Sequence, residues 1–189
     1  MAHGCGRLIH NNGDAYEGEW VEDRAHGFGR YTHFDGNYYE GPWINDELTG
    51  LGCEVFYIEE VTPENFGTEI KNNRYEGNYI NGKKHGNGRF FWANGSCYKG
   101  QFSFDYLHGE GEYIWYDGRK YKGDWKNNEM HGHGTFSWPN NNFYEGSYRH
   151  DKKQGFGAFV KNEWVKEEGE EVLRVLRYEG KWDDGKQGG

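Results

Sequence analysis

The sequence predicts an all-β chain assembled from one antiparallel hairpin used many times over. Three observations predict it: a tyrosine-led element on a 23-residue lattice, Asn-Gly and Asp-Gly pairs between aromatic-rich segments, and thirty-one glycines with only three prolines in 189 residues. A mean hydropathy of −1.14 and a net charge of −9 would by themselves suit a disordered chain. The aromatics reverse that reading. Phe, Trp and Tyr make up 19% of the chain and each ring can bury roughly 150 to 250 Å², so rings rather than aliphatic side chains supply the core.

The lattice comes first, because a fixed period decides how every segment is read. A Tyr-(Glu/Lys)-Gly-x-aromatic element starts at Tyr16, Tyr39, Tyr75, Tyr98, Tyr121, Tyr144 and Tyr178 and closes on Trp20, Trp43, Tyr79, Phe102, Trp125, Tyr148 and Trp182. Ten residues after the tyrosine comes His-Gly-x-Gly at His26, His85, His108 and His131, with Thr49, Gln154 and Gly188 in the His slot elsewhere. One further copy, starting at His3, opens the chain. Two intervals are longer than 23 residues, and both insertions fall between the Gly-x-Gly and the next tyrosine. The whole of 1–189 therefore reads as a single array of seven to eight repeats, with insertions near 53–74 and 158–177.

Within a repeat, Asn12-Gly13, Asp35-Gly36, Asn94-Gly95 and Asp117-Gly118 precede the tyrosine, and such pairs suit a two-residue type I′ turn. Asn140-Asn141 takes that place once. With Asn94-Gly95 as the turn, Phe91 opposes Tyr98 and Trp92 opposes Cys97. The two insertions read as longer hairpins, one with Gly169 at the centre of a three-residue loop and the other turning around Pro63–Gly67. Each repeat adds two strands at ~4.8 Å, so seven repeats span roughly 65 Å. The recurrent glycines either leave room for a ring or backbone or permit a positive φ.

Several functions are disfavoured. No run of 18 apolar residues is present, and Met1–Gly6 lacks the apolar stretch of a signal peptide. Cys5, Cys53 and Cys97 have neither disulfide-framework nor zinc-site spacing, which points to a reducing, cytoplasmic compartment. The acidic balance opposes nucleic-acid binding. His-Gly-x-Gly without a long helix after it is no phosphate cradle. Histidines in successive repeats stand ~9 to 10 Å apart, too far for one zinc, and read as turn-fixing, ring-stacking residues, with His133 near His131 the one place to check. Glu59-Glu60, Glu167-Glu168 and Glu170-Glu171 read as solvated hairpin charge. No catalytic residue, metal or cofactor is expected.

These elements together resemble the MORN repeat family, whose unit reads Tyr-Glu-Gly-x-Trp, a polar loop, and His-Gly-x-Gly. The resemblance implies an elongated single-layer antiparallel sheet, a solenoid-like rod of stacked β-hairpins bearing a groove, with two extended hairpins in this chain. It also implies a non-enzymatic scaffold or adaptor that binds a protein partner, a helical segment above all, in a cytoskeletal or ciliary assembly. Alternatives are a phospholipid-binding module and the targeting segment of a larger enzyme. End-to-end self-association through open strand edges, or a longer array of which this is a fragment, would also fit.

Under the expected register, Tyr98, Phe102 and Phe91 share one face and Phe90 and Trp92 the other. Phe90, Trp92, Tyr113, Trp115, Phe136 and Trp138 are then the candidate partner-binding groove. Lys83, Lys84, Lys120, Lys122, Lys152 and Lys153 are the candidate lipid-facing basic set.

Overall fold

The computed structural model describes residues 1–62 and 67–188, with side chains described outside 59–70. Among these residues there are sixteen strands and no helix. The chain divides into two units, Met1–Asp105 and Tyr106–Gly189. The first holds β1 (Gly4–Ile9), β2 (Ala15–Val21), β3 (Arg24–Thr32), β4 (Tyr38–Ile44), β5 (Glu47–Leu48), β6 (Gly50–Thr62), β7 (Gly67–Ile80), β8 (Lys83–Phe91) and β9 (Cys97–Ser103). The second holds β10 (Tyr106–Ile114), β11 (Lys120–Lys126), β12 (Glu129–Ser137), β13 (Phe143–Arg149), β14 (Lys152–Glu167), β15 (Glu170–Asp183) and β16 (Lys186–Gln187). Within each unit the strands form one open antiparallel sheet in chain order, with β5 off the path beside β4.

Two kinds of turn join the strands, and their assignment differs from the expected one. The type I′ turns that recur with the repeat are Glu22-Asp23, Asn45-Asp46, Asn81-Gly82, Phe104-Asp105, Asn127-Asn128, His150-Asp151 and Asp184-Gly185, each with positive φ at both positions. The Asn-Gly and Asp-Gly pairs lie instead in three-residue loops. Gly95 N–H donates to the Trp92 carbonyl and Trp92 N–H to the Ser96 carbonyl. Only the glycine has positive φ, 90° at Gly95, which is a type I turn closed by a glycine bulge. Asn141 takes that glycine's conformation with φ 63°.

The extra loop residue corrects the register. Phe90, not Phe91, opposes Tyr98, and Phe91 opposes Cys97. A slip of one residue moves a side chain to the other face, so Phe90 lies on the tyrosine face and Phe91 on its reverse. The hairpin at Gly169 is corrected in the opposite sense: Glu167 pairs Glu170, leaving a two-residue turn with φ 52° at Glu168 and 92° at Gly169.

Both insertions are extended hairpins. Pairing of β4 with β6 ends at Tyr38 and Val55, and β7 meets β8 from Arg74 onward, so in the ladder residues 56–62 pair with residues 67–73. Residues 161–167 pair with residues 170–176 in the same way in β14 and β15. The expected Pro63–Gly67 turn falls largely outside the described residues.

The rings of Tyr16, Tyr75, Tyr121 and Tyr144 each lie across a pair of facing glycines. Gly77 pairs Gly88, and a Cβ on Gly88 would stand 2.6 Å from Tyr75 Cε2. The first glycine of Gly-x-Gly sits in a bulge with positive φ, 68° at Gly86 and 58° at Gly132. Ring packing then builds the core. Tyr121 meets Trp125 edge-on at 5.1 Å in its own repeat and Tyr148 at 5.1 Å in the next. Tyr75 repeats this with Tyr79 at 5.2 Å and Phe102 at 5.0 Å. Such contacts contribute roughly 0.5–1.5 kcal/mol each beyond area burial, and Tyr75, Tyr98, Tyr121 and Tyr144 are fully buried.

A backbone staple not foreseen from the sequence ties neighbouring hairpins together wherever the turn's second residue is Asp or Asn. The second residue of the type I′ turn accepts from a backbone N–H 21 residues earlier: Asp46 from Ala25, Asp105 from Lys84, Asn128 from Leu107 and Asp151 from Met130. Asp and Asn tolerate the left-handed conformation and carry an acceptor, so one residue shapes the turn and anchors its neighbour.

Candidate functional site

The six proposed groove residues are all half-buried. The structure places them beside the tyrosine column on the same face, not on the reverse. Tyr113, Phe136 and Phe90 each pair directly with a core tyrosine in the ladder, and two residues farther along the chain, just past the strand end, a tryptophan packs against each of them. In the second unit the rings form an unbroken series: Tyr113–Trp115 at 4.5 Å, Trp115–Phe136 at 5.3 Å, Phe136–Trp138 at 4.6 Å and Trp138–Phe159 at 5.9 Å. In the first unit Phe90 contacts Trp92 at 4.5 Å. Phe91, on the reverse face, is exposed.

The six lysines do not form one stripe. Lys83, Lys120, Lys122 and Lys152 are exposed, with Lys152 ion-paired to Asp184. Lys84 and Lys153 instead turn into the aromatic face. Each follows an exposed lysine by one residue, and strand alternation sends it to the opposite side.

Lys84 belongs to a polar cluster in the first unit. Its ammonium pairs with Glu54, whose side chain is 5% exposed, and lies 5.3 Å from the Tyr75 ring centre and 5.6 Å from that of Phe56. Tyr79 donates its hydroxyl to Glu54 at 3.4 Å. Burial first, and then the neighbouring Glu54 carboxylate, pushes the Tyr39 hydroxyl up to about 12. Glu54 occupies an aromatic-column position, opposed by Tyr39 and Tyr75.

Lys153 sits in the second unit within a cage of rings. Its ammonium stands 4.6 Å from the Trp182 ring, 4.7 Å from Tyr144, 5.1 Å from Phe159 and 5.3 Å from Trp138. Burial pulls its proton affinity below that of an ordinary lysine. Cation–π attraction offsets part of that desolvation, roughly 0.5 to 2 kcal/mol per favourable ring.

Other candidates are resolved more simply. Among the described residues no group of three or more His, Cys, Asp or Glu is placed to hold a metal ion. His85 meets Phe104 edge-on at 4.7 Å and His131 meets His150 edge-on at 5.6 Å, ring contacts rather than the stacks expected. The Nδ1 atoms of His85, His108 and His131 are buried without a hydrogen-bond partner in the described structure. His133 is exposed and 3.9 Å from Glu145. Glu167 is exposed and paired with Arg174, as solvated hairpin charge would be; the Glu59 and Glu60 side chains lie outside the described residues.

The sequence reading passed over a second apolar surface. Trp164 is 69% exposed on the extended β14–β15 hairpin and pairs with Leu173, while Val175 continues the same face. The signal was present as Val-Leu-x-Val-Leu at 172–176 but was absorbed into the insertion.

The MORN repeat pattern matches residues 16–38, 39–58, 75–97, 98–118, 121–143 and 144–162. No curated protein matches the chain. Six matches over more than half of the sequence, each starting on a lattice tyrosine, show that the chain belongs to the MORN repeat family.

Proposed function

We propose that this chain is a non-enzymatic scaffold or adaptor that receives a helical segment of a protein partner on its aromatic column. One observation carries the reading: in the second unit Tyr113, Trp115, Phe136 and Trp138 make a continuous series of half-buried rings beside a closed tyrosine core. Rings needed only for the core would be expected to bury fully, as Tyr121 and Tyr144 do. Contiguous apolar surface left at a boundary marks an interaction site, and an amphipathic helix presents apolar residues at the spacing to cover it. A place in a cytoskeletal or ciliary assembly is part of the proposal and draws on the family alone. The phospholipid alternative loses support, because Lys84 is paired and Lys153 caged, while Lys152 is bound to Asp184.

The test compares affinity-purified partners of the wild type with those of a Trp92→Ala, Trp115→Ala, Trp138→Ala variant, with near-ultraviolet circular dichroism verifying the fold. Loss of a helical partner supports the reading. An unchanged partner set on a folded variant overturns it. Co-sedimentation with phosphatidylserine vesicles checks the alternative, and no salt-sensitive pelleting is expected.

A further inference from the structure

The site around Lys153 repeats the site around Lys84 with one group missing. In the first unit Lys84 stands opposite Tyr79 in the ladder, and Glu54, held between Tyr39 and Tyr75, takes both the ammonium and the Tyr79 hydroxyl. In the second unit Lys153 stands opposite Tyr148 in the same way. Phe136, held between Tyr121 and Tyr144, fills the position that Glu54 fills.

Two donors are left without the acceptor their counterparts share. The Tyr148 hydroxyl is buried with no hydrogen-bond partner in the described structure. Among the described residues the Lys153 ammonium meets only ring faces. Buried polar groups are rarely left unpaired, and those that are call for an explanation. Desolvation is the sole cause of the lysine's lowered proton affinity, in keeping with the absence of a nearby carboxylate.

We propose that the Lys153 cage is a docking point for a carboxylate of a partner polypeptide, an Asp or Glu side chain flanked by apolar residues that cover Trp138 and Phe159. The partner completes from outside the ion pair that Glu54 completes from within. Charge selects this occupant. The resident ammonium repels a cationic ligand, which four rings would otherwise attract, and in a chain of net charge −9 it is a localised positive point in an apolar setting. A singly charged carboxylate matches it as Glu54 matches Lys84, whereas a phosphate dianion would bring a larger desolvation cost for one ammonium. Lys153 is half-buried, so part of its surface remains open to an incoming group. The inference rests on reading the aromatic column as partner-binding, because Trp138 belongs to both.

The test follows the lysine side-chain nitrogen resonances of the isotopically labelled full chain, assigned with Lys153→Met, during titration with the peptide Glu-Glu-Glu at constant ionic strength. Lys-Lys-Lys and inorganic phosphate serve as comparison probes. The expected result is a saturable shift at Lys153 with Lys84 unmoved, and a Lys153 titration displaced upward by about one pH unit. Phe136→Glu supplies the carboxylate within the chain, raises the Lys153 titration without any peptide and weakens peptide binding at least tenfold. Lys153→Met carries the side chain that Met130 supplies one repeat earlier. It also loses binding at least tenfold, read at the Trp138 and Trp182 indole N–H signals, so a Phe136→Glu variant that does not fold leaves the proposal open to refutation. No saturable shift at Lys153, an equal shift at Lys84, a response to phosphate alone, or binding retained in Lys153→Met overturns it. Loss of the helical partner in the tryptophan variant without any peptide response at Lys153 removes this inference alone; the converse removes the helix reading alone.

Discussion

Lys84 and Lys153 occupy the same place in the repeat, yet one is paired with a buried carboxylate and the other meets ring faces with no counter-charge beside it among the described residues. The frame around them is shared: a tyrosine over paired glycines, a closing ring four residues on, and a column residue between two tyrosines. Rings differ in kind between the two sites, Phe56 against Trp138 and Phe102 against Trp182, but the difference in charge is one substitution in that column, Glu54 against Phe136. A repeat fold fixes where a side chain goes, and the residue placed there decides whether the position closes on itself or is left to receive something.

The comparison holds only if the frame is the same in both units. Gly88→Ala and Gly134→Ala test this, since each would drive a Cβ into a buried tyrosine, 2.6 Å from Tyr75 Cε2 and 2.5 Å from Tyr121 Cζ. Both are expected to lose about 1 to 3 kcal/mol or more in urea denaturation followed by near-ultraviolet circular dichroism. A small effect at one glycine alone would break the equivalence.

Comparable in size is Lys84→Met, which strands the Glu54 carboxylate in the interior. Removing one partner of a buried pair costs about 3 kcal/mol or more, and the double variant Lys84→Met, Glu54→Leu should recover most of it in the same denaturation experiment. Failure to recover would mean that the pair contributes more than mutual neutralisation.

Lys153→Met should move stability the other way. It removes a half-buried cation that lacks a carboxylate and keeps a flexible apolar stem in the cage, so denaturation near neutral pH should show a gain of up to about 1 kcal/mol, scaled down because the site is partly solvated. A loss of more than that would show that cation–π attraction outweighs desolvation there.

The smallest effect is its pH dependence. Lys153 binds its proton less tightly folded than unfolded. Above its folded value and up to the ordinary lysine value of about 10.4, the unfolded chain holds the proton and the native chain has released it, so stability rises with pH across that window. The advantage of Lys153→Met should therefore shrink as the pH rises toward the ordinary lysine value of about 10.4, measured by denaturation at a series of alkaline pH values.

How much of this was legible follows residue type. The hairpin unit, the extended insertions and the role of glycine could be read because they rest on spacing and on residues with narrow conformational preferences. The turn at Asn94-Gly95 could be read as a turn but not as to its length. Two- and three-residue loops both accept that pair, and choosing the shorter one sent Phe90 and Trp92 to the wrong face. The pairs that do form type I′ turns, such as Glu22-Asp23 and Phe104-Asp105, carry little local signal; their second residue is held by the preceding repeat. Lys84 and Lys153 were legible as basic residues, but their burial was not.

Sequence alone determined the repeat, the antiparallel hairpin and the reliance on rings, because each is written in a period or in a residue with few conformational options. Only the tertiary structure decided which face each ring occupies and which lysine meets a carboxylate. Those outcomes depend on register, and register is set by the loop geometry and by contacts between residues that are distant in the chain. Glu54 and Lys84 are thirty residues apart, and nothing short of the assembled sheet brings them together.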